Sequence, residues 1–154
     1  MASDRSARKL SANASLRIFL DANVLFSAAR AAGAMRQMLA ALRVRGHILV
    51  ADEYVCIEAR RNVAAKVSTA ALRDLEEILA TVELGSARQA LSPDQVLAAQ
   101  WLPEKDRPVL LAAIALRCDA LVTGDKTHFG AGYGQSFCGV TLYSPAMLAS
   151  AFLV

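Results

Sequence analysis

Short apolar runs alternate along the chain with longer segments in which apolar residues recur every three or four positions. The runs are Arg17–Leu20, residues 47–51 (His-Ile-Leu-Val-Ala), residues 120–123 (Ala-Leu-Val-Thr) and Val140–Tyr143. Each is rich in strand formers and lacks a polar face, the pattern of a strand buried on both sides. Residues 82–84 predict one more short strand. Helical spacing covers residues 33–43, where Met35, Met38, Leu39 and Leu42 share a face and Gly46 follows the end. It covers residues 52 to about 67, with Val55, Ala59, Val63 and Val67 aligned, and then Thr69–Leu79. Ser92-Pro93 opens another helix, which ends before Pro103. Asp106 and Pro108 repeat that signal ahead of residues 109–116, which are apolar nearly all round and so predict a helix inside a core. Pro145–Phe152 closes the chain, and the glycine-rich residues 130–139 read as a flexible loop.

Continuous apolar strands alternating with helices specify an α/β fold: a parallel central sheet of about four to five strands with helices on both faces. In such a sheet the strand C-termini and helix N-termini share one edge, and ligands bind there.

The 154 residues suit one domain, expected over residues 16–154 after a polar tail at 1–15. A hydrophobic share of 55% with a net charge of only +3 excludes intrinsic disorder. The slight positive charge is compatible with a polyanionic partner without demanding one. Cys56, Cys118 and Cys138 are an odd number without paired spacing, which excludes a disulfide framework; they read as reduced, buried small hydrophobes. No run approaches the ~20 apolar residues that cross a bilayer, and no signal-peptide core is present. The expected location is the cytoplasm, with no membrane partner.

The chemistry gathers at one sheet edge. Asp21 directly follows the first strand, Asp125 follows the strand ending at Thr123, and Asp106 starts the buried helix. Glu58 lies about two turns into the helix after the second strand and flanks its apolar face; Asp52 and Glu53 of that helix are alternatives for the same role. Each acid has a plainer use: Asp106 as an N-cap, Asp125 as a turn residue, Glu58 as a solvated helix position. Asp21 is harder to dismiss, because a carboxylate abutting a buried strand needs a partner. Carboxylates within about 4–6 Å of one another repel and raise each other's pKa, so a fold that gathers them holds a cation or shares a proton. Oxygen-only ligands suit Mg²⁺ or Mn²⁺. Such an ion acidifies a bound water and neutralises phosphoryl charge, which points to hydrolysis of a phosphodiester.

The residues Ile18-Phe19-Leu20-Asp21-Ala22-Asn23-Val24-Leu25 resemble the opening strand of PIN-domain ribonucleases. Asp106-Arg107-Pro108-Val109-Leu110-Leu111-Ala112-Ala113 is similar to that family's third-acid helix, and residues 120–129 (Ala-Leu-Val-Thr-Gly-Asp-Lys-Thr-His-Phe) to its next strand and turn. The resemblance runs from about Arg17 to the C-terminus. Size and layout look most like the VapC-like toxins of bacterial toxin–antitoxin pairs. It implies a PIN-like, three-layer α/β/α domain and a Mg²⁺-dependent endoribonuclease, with Mn²⁺ as an alternative ion. Asp21, Glu58, Asp106 and Asp125 would be the metal-binding acids, Asn23 would orient the first acid, and Thr123 would hydrogen-bond near the metal or the scissile phosphate. RNA is the implied substrate, and an antitoxin and a second copy of the chain are the implied partners. Where some relatives carry a further acid, this chain has Thr127, which weakens a second metal position and supports an alternative: a catalytically weak RNA- or protein-binding module.

Other features carry less. Gly130-Ala131-Gly132-Tyr133-Gly134 does not directly follow a strand and lacks the downstream acid of a dinucleotide loop. A phosphotransferase using Asp21 as nucleophile would want a second Asp where Asn23 stands. His47 and His128 lack ligand spacing; His128, near the proposed site, reads more simply as surface packing. Arg43, Arg45, Arg60, Arg61 and Lys126 could meet phosphates, with ordinary solvation the simpler reading. Trp101 reads as core rather than as a base-stacking platform.

Overall fold

The computed structural model describes residues 14–86 and 90–154. Six strands form one sheet: β1 (Arg17–Leu20), β2 (Ile48–Asp52), β3 (Glu83–Gly85), β4 (Ala120–Val122), β5 (Ser136–Phe137) and β6 (Val140–Tyr143). The eight helices among the described residues are α1 (Ala22–Arg30), α2 (Ala34–Val44), α3 (Glu53–Lys66), α4 (Thr69–Leu79), α5 (Pro93–Leu97), α6 (Arg107–Ala115), α7 (Lys126–Phe129) and α8 (Pro145–Phe152). All the predicted strands are present, within a residue or so of their expected ends.

The sheet order is β3-β2-β1-β4-β6-β5, parallel except for β5 against β6. From β1 the chain steps outward to β2 and β3, then returns across β1 to β4. Right-handed crossovers therefore put α1–α4 and the α5–α6 connection on opposite faces, giving the three-layer α/β/α arrangement, and the closing α8 packs back on α2. α1 packs against α2, α3 and α4, while α5 meets α6 and α6 meets β4. The direction of winding reverses between β1 and β4, and the crevice outside the carboxyl ends of those strands is where such sheets bind ligands.

Burial explains why these strands sit in the centre. Ile18, Phe19, Leu20, Leu49, Val50, Leu121, Val122 and Leu142 are essentially inaccessible. Each large side chain of that kind contributes roughly 1.5–3 kcal/mol on burial. Local chemistry sets the helix starts. Ser68 and Ser144 accept from the backbone N–H three residues on, and Ser92 forms a reciprocal capping box with Gln95.

Several expectations are corrected. Residues 22–30, left without an element by the sequence pattern, form α1, whose buried face is Val24, Leu25, Ala28 and Ala29. The helix opened by Pro93 stops at Leu97 and continues as turns to residue 102. The glycine-rich stretch is an ordered excursion rather than a flexible loop. Gly132 is buried under Trp101, where a Cβ would come within 2.5 Å of the indole, and Ser136 and Phe137 pair with β6 through a reversal at Cys138 and Gly139. Cys56 and Cys118 are buried, but Cys138 is exposed; none of the three is in a disulfide. Trp101 is not core: 37% of it is exposed, and its ring stacks on Phe137 at 5.0 Å. Most of the expected tail at 1–15 lies outside the described residues, but Ser15 is tied down, its Oγ donating to the Gly46 carbonyl at 2.7 Å.

Candidate functional site

Asp21 is the last residue before α1 and caps it, its Oδ1 accepting from the Ala22 N–H at 2.8 Å. Its Oδ2 accepts from Thr123 Oγ1 at 2.7 Å and from Asn23 Nδ2 at 3.2 Å. Asn23 reaches across the β1–β4 boundary: its Oδ1 accepts from Gly124 N at 2.8 Å, and its Nδ2 also lies 3.2 Å from Thr123 Oγ1. Thr123 Oγ1 in turn accepts from Asp125 N at 3.1 Å, and Tyr133 holds the Thr123 carbonyl through its hydroxyl at 2.7 Å. Asn23 and Thr123 thus lock the two strand ends together with Asp21 between them. Burial pushes the Asp21 carboxyl up to about 6, with Glu58 and Asp106 adding repulsion and the Thr123 and Ala22 hydrogen bonds opposing the rise.

Asp106 approaches from the turn before α6. It does not cap that helix, contrary to its simplest reading. Asp125 does cap α7, accepting from His128 N at 3.2 Å. The short helix swings His128 back onto the acids. Its Nδ1 lies 2.8 Å from Asp125 Oδ2 and 3.2 Å from Asp106 Oδ2. An N–H at Nδ1 can serve only one carboxylate, and Asp125 is the nearer; Asp106 Oδ2 is buried without a hydrogen bond. Ligand atoms of Asp106, Asp125 and His128 all fall within 4.8 Å of one another.

A cleft of about 250 Å³ opens over this edge. Asp21, Glu58, Asp106 and Asp125 all line it, with Asn23 and with Lys66 and Lys105. The four acids expected from four distant segments therefore face one space, and Thr123 sits beneath it, bonded to Asp21. Of the alternatives to Glu58, Asp52 caps α3 by accepting from Val55 N at 3.1 Å, and Glu53 is exposed; neither lines the cleft.

Two of the candidate basic residues have partners away from the cleft. Arg60 is paired with Glu76 at 2.6 Å, and Arg45 donates to the Phe152 and Leu153 carbonyls, so both are engaged elsewhere. The cleft cations are Lys66 and Lys105, which the sequence pattern did not single out. His128 is not the surface-packing residue that its sequence context suggests: it touches two of the acids. Its signal was the three-residue spacing from Asp125, which brings the two side chains together only if residues 126–129 turn helically.

A parallel sheet with acids crowded at its winding reversal defines a class, and the comparison with known families agrees: residues 17–127 match the PIN domain, and the chain belongs to that family. Among solved structures it is similar to a chain of VapBC2 from Rickettsia felis, crystallised with a DNA fragment from the promoter of that pair. The TM-score is 0.60 at 16% identity, covering 84% of this chain and 98% of that one, so the two share a fold. No curated protein matches the chain significantly. None of the helices among the described residues is long and apolar enough to cross a membrane.

Proposed function

We propose that the chain is a metal-dependent endoribonuclease and the toxin of a toxin–antitoxin pair. The observation that carries this reading is four carboxylates from four separate elements lining one cleft, with Asp106 Oδ2 buried among them without a hydrogen bond. A buried carboxylate oxygen without a hydrogen bond beside other acids is what a divalent cation relieves, and the all-oxygen acid set suits Mg²⁺, with Mn²⁺ as the alternative. Asp21, Glu58, Asp106 and Asp125 would hold the ion. An ion held by these residues would supply an acidified water and would neutralise charge on a phosphoryl oxygen.

The chain's own residues do the rest. Thr123 and Asn23 fix the Asp21 carboxylate, so its position is set before any substrate arrives. Lys66 and Lys105 flank the acids and offer charge to the phosphates on either side of the one being cut. The expected products carry a 5′-phosphate and a 3′-hydroxyl. The nuclease, RNA and antitoxin assignments follow the family; a segment of the antitoxin would cover this acidic edge. A homodimer is the expected assembly, read by light scattering, and the cytoplasm the expected location.

The test is cleavage of purified RNA with Mg²⁺, its loss on adding EDTA, and its loss in Asp21→Asn. Undiminished cutting by folded Asp21→Asn would refute the reading. Thr127, exposed on α7 where an acid would strengthen a second metal position, favours one other reading: a module that binds RNA or protein without turnover. Metal-independent RNA binding with no cleavage would identify it.

A further inference from the structure

We infer that His128 is a nitrogen ligand of the divalent ion, joining Asp106 and Asp125, which would make the site a mixed nitrogen–oxygen centre rather than an all-carboxylate one. The inference rests on the metal-dependent reading above.

Three observations carry it. The first is spacing. Bonds of about 2.1 Å put adjacent ligands of an octahedral ion about 3.0 Å apart. His128 Nδ1 lies 2.8 Å from Asp125 Oδ2 and 3.2 Å from Asp106 Oδ2, which is that edge length on both sides. The second is saturation. A ring nitrogen facing two carboxylate oxygens can donate one proton to one of them, and Asp106 Oδ2 is left buried without a bond. An ion in place of that proton satisfies all three atoms at once. The third is access. His128 does not line the cleft; it meets the Asp106–Asp125 pair from the α7 side, so it would take a position on the ion that leaves the cleft face to water and substrate. The neutral imidazole can carry its proton on Nε2, which frees the Nδ1 lone pair for a metal.

A nitrogen donor changes which ion is preferred. Mg²⁺ favours oxygen ligands, whereas imidazole raises affinity for later first-row ions such as Co²⁺. The chain should therefore discriminate between Co²⁺ and Mg²⁺ more steeply than an all-carboxylate site would.

Pulsed electron paramagnetic resonance of the full chain loaded with Mn²⁺ tests this directly. Only two histidines are present, and His47 lies at the opposite end of the sheet, its Nδ1 accepting from Leu16 N. Imidazole nitrogen coupling is expected in the wild type and in His47→Gln, and is expected to vanish in His128→Gln. The ratio of Mg²⁺ to Co²⁺ dissociation constants should fall about tenfold or more in His128→Gln. Bound Mn²⁺ without nitrogen coupling in the wild type overturns the role of His128 and leaves the carboxylate centre standing. Failure of the wild type to bind Mn²⁺, Mg²⁺ or Co²⁺ at all overturns both. The wild-type spectrum decides the matter even if His128→Gln does not fold.

Discussion

The two ends of the same sheet hold buried polar groups and use them in opposite ways. At the amino end of the strands, Asp119 Oδ2 accepts from Arg17 N at 2.9 Å, and His47 Nδ1 accepts from Leu16 N at 3.1 Å. Each joins neighbouring chain segments, and each has an acceptor matched to a donor. At the carboxyl end, Asp21, Glu58, Asp106 and Asp125 share one cleft, and the described donors do not satisfy all of their oxygens. A fold tolerates buried polar groups at either end, but only the carboxyl end keeps a surplus of negative charge. That surplus, rather than the presence of acids, separates a site from a structural tie.

The largest expected effect breaks the carboxyl end alone. Asp21→Asn and Asp106→Asn should each lower RNA cleavage by roughly 10²–10³-fold, the scale for removing one preorganised electrostatic group. Neither should unfold the protein, because each removes a repelled charge. In the wild type, Mg²⁺ at about a hundred times its dissociation constant should add about 2.7 kcal/mol of stability. Thermal unfolding with and without Mg²⁺ checks this, and an Mg²⁺ response of Asp106→Asn equal to that of the wild type would count against the site.

The two ends should also answer pH with opposite signs. Asp21 stands at about 6 when folded against an ordinary 3.8, mainly through burial. The folded protein therefore keeps a proton on Asp21 that the unfolded chain has released. Stability from this group is complete below pH about 4 and is lost as pH rises through 6, roughly 3 kcal/mol in all. Burial lowers His47 from its ordinary 6.5, with Arg45 adding to the effect. Its contribution is complete above that ordinary value and is lost as pH falls below it. Urea unfolding of the metal-free protein from pH 4.5 to 7.5 should show these slopes opposing each other. In Asp21→Asn the Asp21 slope should disappear while those of His47 and of Asp52, which burial also raises, remain, so acidification should favour that variant less than the wild type. Identical profiles for the two proteins would sink the assignment of the slope to Asp21.

The comparison also shows what the amino-acid order can and cannot reveal. Strand ends were legible because an apolar run must stop where the sheet meets water, and Asp21 and Asp125 mark such stops. The convergence of four acids was legible because parallel topology sends all strand ends to one edge. The α1 helix was not, because Val24-Leu25-Phe26 is too short an apolar run to show helical spacing, and Asp21, which caps the helix, reads equally as the end of a strand. β5 escaped notice because its pairing depends on Cys138 and Gly139, both at positive φ, and cysteine gives no turn signal. The surplus at Asp106 was invisible for a different reason. Its sequence context is that of an ordinary helix cap, and only the folded chain, in which its side chain makes no capping hydrogen bond, shows that the cap is unused.

Thr123→Val sharpens the carboxyl end by a smaller amount. It removes the hydroxyl that donates to Asp21 and accepts from Asp125 N. Asp21 would lose the hydrogen bond that most opposes its rise, so its pKa should climb further and its position should loosen. Cleavage should fall about 10–100-fold, the range for residues that orient a ligand without being one. Thr123→Ser keeps the hydroxyl and should restore most of the activity. A pH–rate profile that shifts upward in Thr123→Val, and returns in Thr123→Ser, separates this role from simple packing of the buried methyl.

The smallest effect belongs to the amino end. Asp119→Asn keeps a carbonyl oxygen able to accept from Arg17 N, so the change exchanges a charged hydrogen bond for a neutral one. The expected cost is about 0.5–1 kcal/mol in urea unfolding, with RNA cleavage per folded molecule unchanged. The same carboxylate-to-carboxamide exchange at Asp106 should do the reverse, costing activity and little stability, because Asp106 Oδ2 has no hydrogen bond to lose. A buried aspartate and a half-buried one altered identically, one read out in stability and the other in chemistry, are what unequal pairing at the two ends requires. Comparable losses of activity in both variants would mean that the sheet transmits disturbance from one end to the other, and that the acids at the carboxyl end are not an independent site.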